Sequence, residues 1–215
     1  MTKESVWRHM ETLLKRYPVL RETQSSIRAA YSLLETCYER GGKLLIAGNG
    51  GSAADAEHIA GELMKGFEKS RRLSGRERGK LIATDQKLGS VLSELLQGAL
   101  PAIALDGHFA LTTAILNDNH PLLCFAQQVY GYGQEGDAFL AISTSGESEN
   151  VLYAATVAKA KGIGVIGLTG ERWSSLAEIA DVCIRVPSER CFMVQELHLP
   201  VYHCLCLMLE EQFFE

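Results

Sequence analysis

Five apolar runs constrain this chain more than any other feature: residues 43–47 (KLLIA), 101–105 (PAIAL), 137–142 (DAFLAI), 163–168 (IGVIGL) and 181–186 (DVCIRV). Each is nearly continuous in hydrophobicity, the pattern of a strand buried on both faces. Helical stretches lie between and after them, near 52–66, 108–117, 120–131, 148–161 and 173–179. The alternation predicts an α/β fold, a three-layer α/β/α sandwich around a five-stranded parallel sheet, with sites at the C-terminal ends of the strands.

The flanks are helical. Residues 2–17 carry Val6, Met10, Leu13 and Leu14 at helical spacing, and Pro18 closes that segment. Residues 20–40 place Ile27, Ala30, Tyr31, Leu34 and Tyr38 on one face and stop at Gly41-Gly42. Two helices before the first strand exceed what one sheet needs for cover, so helices 2–40 are expected to pack on another subunit. The C-terminal stretch, about 193–214, reads as one long apolar helix, with a kink at Pro200 or a start nearer residue 197. Residues 65–80 break the rhythm with seven Lys/Arg against two Glu. A charge run of this kind is a solvated surface loop, or a mobile basic flap beside an anionic ligand. Residues 85–99 add a short extra helix.

At 215 residues the chain has the size of one domain, 1–215. A net charge of −5 argues against nucleic acid as the partner. The first residues lack the apolar run of a signal peptide, and no run of about 18–20 apolar residues suggests a membrane span. The six cysteines stand in apolar surroundings and read as reduced, buried thiols of a cytoplasmic protein.

Three segments carry chemistry. After the first strand, Gly48-Asn49-Gly50-Gly51-Ser52 forms a turn that opens a helix, where backbone N–H groups and the helix dipole favour a phosphate or carboxylate. It lacks the Gly-Lys-Ser/Thr ending of a nucleotide-triphosphate loop and the sixth-position glycine of a dinucleotide loop; a plain tight turn is the alternative. After the third strand comes Ser143-Thr144-Ser145-Gly146-Glu147-Ser148. A helix cap explains one of its hydroxyls and leaves the others for a phosphate held by neutral donors. The third is a pair of segments. His58 and Glu62 lie four apart on one helix face, and Gln195 and His203 interrupt an otherwise apolar helix. Buried polar groups need partners, and together His58, Glu62, Gln195 and His203 form an N/O donor set suited to zinc. Satisfied core or surface residues are the alternative reading.

These pieces together resemble the sugar isomerase (SIS) domain family, and within it the phosphoheptose isomerase branch. The likeness rests on GNGGSAADAEHIAGEL (48–63), ILND (115–118), GDAFLAISTSGESENV (136–151) and QELHLPVYH (195–203). It implies a flavodoxin-like SIS fold and an isomerase that converts sedoheptulose 7-phosphate to a manno-heptose 7-phosphate through an enediol, the first step of nucleotide-activated heptose biosynthesis. Asn49, Gly50, Gly51, Ser52, Glu62, Asn117, Asp118, Ser143, Thr144, Ser145, Ser148 and Gln195 would contact substrate. His58, Glu62, Gln195 and His203 would hold one zinc ion per subunit, and Glu62 with His203 would be the catalytic acid/base pair. A homotetramer with shared sites is implied too, with no nucleic-acid or membrane partner. Another sugar phosphate as substrate is an alternative. So is a non-catalytic protein that binds a sugar phosphate or a replication-initiator-type partner. That sister branch lacks the Glu and final His that stand here at 62 and 203. The chain departs from the pattern in its longer 68–100 segment and in Glu147, where Asn is common.

Overall fold

A computed structural model describes residues 2–215. Its first two helices are α1 (Trp7–Arg16) and α2 (Gln24–Glu39). The sheet opens with β1 (Leu44–Gly48), followed by α3 (Gly51–Met64), α4 (Gly75–Thr84), α5 (Gln86–Leu95) and β2 (Ala102–Ala104). Next come α6 (Phe109–Asp118), α7 (Cys124–Tyr132), β3 (Ala138–Ile142), α8 (Glu149–Ala160) and β4 (Gly164–Thr169). The chain finishes with α9 (Ser175–Ile179), β5 (Val182–Arg185) and α10 (Cys191–Phe213).

All five strands are parallel, in the order β2-β1-β3-β4-β5. This is the flavodoxin-like order, which reverses direction between β1 and β3 and leaves a crevice there. Alternate strand residues feed two cores. Leu44, Ile46, Leu140, Ile142, Ile166 and Leu168 face α1, α2, α3 and α10. Leu45, Ala47, Phe139, Ala141 and Val165 face α7 and α8. The expected three layers are therefore present, with β2 the shortest strand.

α1 lies on α10, α2 on β5 and α10, and Trp7 meets Tyr31 edge to face at 5.5 Å, so these helices bury their apolar faces within the chain and a subunit contact would use their other faces. Three sequence expectations need correction or refinement. The charged run 65–80 is not a solvated loop throughout. Its second half starts α4 behind a capping box of Ser74 and Glu77, and Arg71 is 1% exposed. α10 starts at Cys191 and continues through Pro200. By length and composition it could cross a bilayer, but here it is the central core helix of one layer, with Val194, Val201, Leu205, Met208 and Leu209 all buried. Of the cysteines, all free, Cys191 is exposed and Cys183 half-buried, while the other four are buried as expected.

Candidate active site

Gly48 and Ile142 are register partners, so the turns after β1 and β3 leave the sheet side by side at the crevice. In the first turn Gly50 takes φ +57°, which L-residues rarely adopt. Gly51 is needed for a different reason. A Cβ there would stand 1.7 Å from Nε2 of Gln195, so only glycine lets α10 bring that amide against the start of α3. Ser52 is buried at the first turn of α3. Asn49 reaches across the crevice to Asn150 at the start of α8. Each amide donates to the other's oxygen, at 2.9 and 2.8 Å.

The second turn is wired internally. Ser143 Oγ accepts from the N–H of Gly146 at 3.1 Å and lies 3.0 Å from Ser148 Oγ. Ser145 Oγ accepts from the N–H of Glu147, and Thr144 Oγ1 meets Cys191 Sγ at 3.2 Å. Ser148 is the N-cap residue of α8 by position, yet its side chain makes no capping bond. Its hydroxyl thus stays in the turn beside Ser143. The Glu147 carboxylate turns away. It accepts from the N–H and hydroxyl of Ser175 at the start of α9, bonds that hold its carboxyl below the usual range. A carboxylate tied down in this way leaves the hydroxyls and N–H groups to face an anion.

The catalytic candidates meet where α3 packs on α10. His58 Nε2 lies 3.3 Å from Glu62 Oε1 and 3.4 Å from His203 Nε2. Tyr202 OH donates to Asp55 Oδ1 at 3.1 Å and lies 3.2 Å from His58 Nδ1. Burial raises the Asp55 carboxyl, with Tyr202, His58 and Gln195 acting in the opposite direction. Burial and the neighbouring His58 lower His203. A neutral His203 can accept a proton, as a general base or relay must. His203 also forms part of the wall of a cavity of about 300 Å³ between α1 and α10, with Arg16 and Tyr17 opposite.

Not every expected residue joins this cluster. Gln195 lies against Gly51 and Asp55. Asn117 and Asp118 bond each other at 2.7 Å on the exposed end of α6. The sequence reading passed over Asp55 and Tyr202, although Asp55, His58 and Glu62 follow the i, i+3, i+7 spacing of one helix face. It also passed over Glu210. Despite its burial, the N–H groups of Phe67 and Glu68 and the Arg71 guanidinium hold its carboxyl below the usual range.

The donor set can be tested for a divalent metal. A tetrahedral site with bonds of about 2.0–2.1 Å has donor–donor edges of roughly 3.3–3.4 Å. The His58–Glu62 and His58–His203 separations match that edge, and two imidazole nitrogens face each other with room for one hydrogen or one shared cation. Among the described residues no trio of His, Cys, Asp or Glu donors is closed into a metal cage. Two donor pairs that share His58 thus have the spacing of a metal-site edge, while the three residues as they stand do not form a group that could hold an ion, and the Gln195 amide lies against Gly51 and Asp55.

The SIS domain family model matches residues 8–94 and 87–170. The phosphoheptose isomerase of Aneurinibacillus thermoaerophilus is 38% identical over 82% of this chain and 76% of its own. That of Roseiflexus sp. is 36% identical over 94% and 89%. Among solved structures, a phosphoheptose isomerase from Francisella tularensis superposes with TM-score 0.75 at 31% identity, covering 97% of each chain. The one from Neisseria gonorrhoeae gives 0.68 at 31%, covering 94% and 91%.

Proposed function

Because the chain belongs to the SIS-domain phosphoheptose isomerase family, we propose that it interconverts sedoheptulose 7-phosphate and a manno-heptose 7-phosphate at the α3–α10 junction. The observation that carries this reading is the convergence of Glu62, His58 and His203, held beside two anion-suited turns. Ser143, Thr144, Ser145 and Ser148 take the phosphate with neutral donors and the start of α8. Asn49, Gly50, Gly51 and Ser52 flank the body of the sugar.

Moving a hydrogen between C1 and C2 needs a base for the carbon-bound proton and an acid for the oxygens. Glu62 takes the proton from C1 and returns it at C2. His203 moves the proton between the O1 and O2 oxygens, consistent with its lowered basicity. Asp55, through Tyr202, keeps the His58 ring in place. His58, Glu62 and His203, with Gln195 drawn in from Gly51, would hold a zinc ion, whose contribution when bound is to polarise the carbonyl and stabilise the developing oxyanion. Asn117 and Asp118 would reach substrate from the rim once α6 and a neighbouring subunit are in place.

A homotetramer in the cytoplasm, with sites shared between subunits, completes the reading. It is supported by large apolar side chains left open, among them Phe109 at 79% and Leu95 at 72% exposure. Sedimentation should give a tetramer; a fully active monomer would remove the shared-site part. The functional test is turnover across a panel of ketose phosphates, with Glu62→Gln and His203→Ala as controls. Near-normal isomerisation by both folded variants would sink the residue assignment. Binding of sedoheptulose 7-phosphate without turnover by the wild type, zinc supplied, would instead leave a sugar-phosphate-binding protein. Metal analysis of wild type and His58→Ala tests the zinc, which should fall in the variant.

A further inference from the structure

The last four carbonyls of any α-helix lack partners within it, and in α3 these include the carbonyls of Glu62 and Leu63. The residue after the helix, Lys65, is extended, and no glycine cap turns back on these groups. Arg71 takes that role, sharing the Leu63 carbonyl with the N–H of Leu100, which donates to it at 3.0 Å. Its Nη2 donates to the Glu62 carbonyl at 2.8 Å and its Nη1 to the Leu63 carbonyl at 2.6 Å. Its Nε donates to Glu210 Oε1 at 2.7 Å. Both side chains are sealed, at 0% and 2% exposure. The guanidinium also lies over the ring of Phe214 at 4.6 Å. Arg71 holds φ +33°, uncommon for a bulky residue, so the surrounding bonds hold it in a strained backbone.

Glu210 makes the opposite half of the clamp. Its oxygens accept from the N–H groups of Phe67, Glu68 and Lys69 at 2.8, 2.9 and 3.2 Å. The loop fixed in this way lays Phe67 against His203, ring centres 5.5 Å apart. On α10, His203 and Glu210 are seven residues apart and share a face. The two helices are therefore joined by two rungs, one of chemistry (Glu62, His58, His203) and one of structure (Arg71, Glu210). The second rung grips the backbone of the very residue assigned as base.

We propose that the Arg71–Glu210 pair is a positioning device that fixes the last turn of α3, and with it the Glu62 carboxylate, relative to His203. This rests on the assignment of Glu62 as base. A charge at position 71 is not sufficient, because one fork-shaped donor serves three acceptors on two helices, a geometry that the single ammonium of lysine cannot reproduce. A loosened last turn moves Glu62 by a fraction of an ångström to an ångström, and misplacement on that scale can cost about 10²-fold in rate. The Asn49–Ser52 turn lies at the other end of α3, and the phosphate turn follows β3, so both are untouched.

The test is the double variant Arg71→Met/Glu210→Met, since replacing both members of a buried pair by apolar side chains is often neutral for stability. It should fold and bind sedoheptulose 7-phosphate with KM within about 3-fold of wild type, while kcat falls roughly 10–100-fold. If it fails to fold, Arg71→Lys, which keeps the buried charge, should show the same split. Wild-type kcat in whichever variant folds, or a change confined to KM, overturns the proposal. Glu62→Gln is assayed in parallel: if it retains activity, the base assignment has failed and the positioning role falls with it. If it is inactive while the clamp variants turn over normally, the clamp alone is wrong.

Discussion

The turns after β1 and β3 leave the sheet as register neighbours, but they satisfy their polar groups in opposite ways. The β3 turn bonds its serine hydroxyls mostly within itself, through Ser143, Ser145, Gly146, Glu147 and Ser148, and reaches out only through Thr144 to Cys191 and the Glu147 carboxylate to Ser175. The β1 turn leads into a helix whose polar face finds its partners some 145 residues away, in Tyr202 and His203. A loop that bonds its hydroxyls mostly within itself can grip a constant group such as a phosphate with little dependence on how distant helices are held. A cluster assembled from two helices depends on how those helices are held, and that is where a reaction can be tuned or lost.

Perturbations of the α3–α10 side should therefore cost the most. Glu62→Gln and His203→Ala should each lower kcat by about 10²–10⁴-fold with little change in KM, measured by steady-state kinetics on folded protein. A large KM effect in place of the kcat effect would erase the distinction between the two turns. Next comes Gly51→Ala. Its methyl group cannot share space with the Gln195 amide, the mobile end of a flexible side chain, so Gln195 swings aside while α10 stays in place; the expected loss in kcat is about 3–10-fold. Full activity would show that Gln195 needs no fixed place.

The third prediction concerns His198, fully buried on α10, whose ring nitrogens make no well-formed hydrogen bond among the described residues and have only a weak contact with the Thr169 backbone. Burial lowers it to about 4, partly offset by the Thr169 backbone. Because the unfolded chain binds a proton near pH 6.5 and the folded one only near 4, its contribution to stability is complete above 6.5 and is lost as pH falls toward 4. Between pH 7.5 and 5 the wild type should lose about 2 kcal/mol more than His198→Asn in urea unfolding. Equal slopes would mean that the ring finds a partner when charged.

The smallest effect should come from the β3 turn. Ser143→Ala removes two internal contacts and should cost about 1 kcal/mol of stability and a several-fold rise in KM, with kcat nearly kept. A kcat loss as large as that of Glu62→Gln would place chemistry in the phosphate loop and overturn the division of labour.

The same contrast explains what could be read from the sequence. The five strands and the β3 turn were legible because each is written in consecutive residues, as apolar runs or as hydroxyls before a helix. The partnership of His58 and Glu62 with His203 came from a different source, the demand of polar residues on an apolar helix for partners. Gln195 illustrates the limit, since nothing local says that it lies against Gly51. Arg71 shows the same limit in reverse. Among seven basic residues in a 16-residue run it looks like its neighbours, and only the approach of Glu210, 139 residues later, sets it apart. Charge runs are usually solvated, and that regularity conceals the one member that is not.

The central claim is that Glu62 is the base of an aldose–ketose isomerisation, and it can be tested at the proton itself. Sedoheptulose 7-phosphate deuterated at C1 is incubated with wild type and with Glu62→Gln, each shown to be folded, and both aldose formation and loss of deuterium from C1 are followed. The wild type should form aldose with a primary isotope effect, while the variant neither isomerises nor releases label. Loss of label and aldose formation by Glu62→Gln at the wild-type rate would contradict the account.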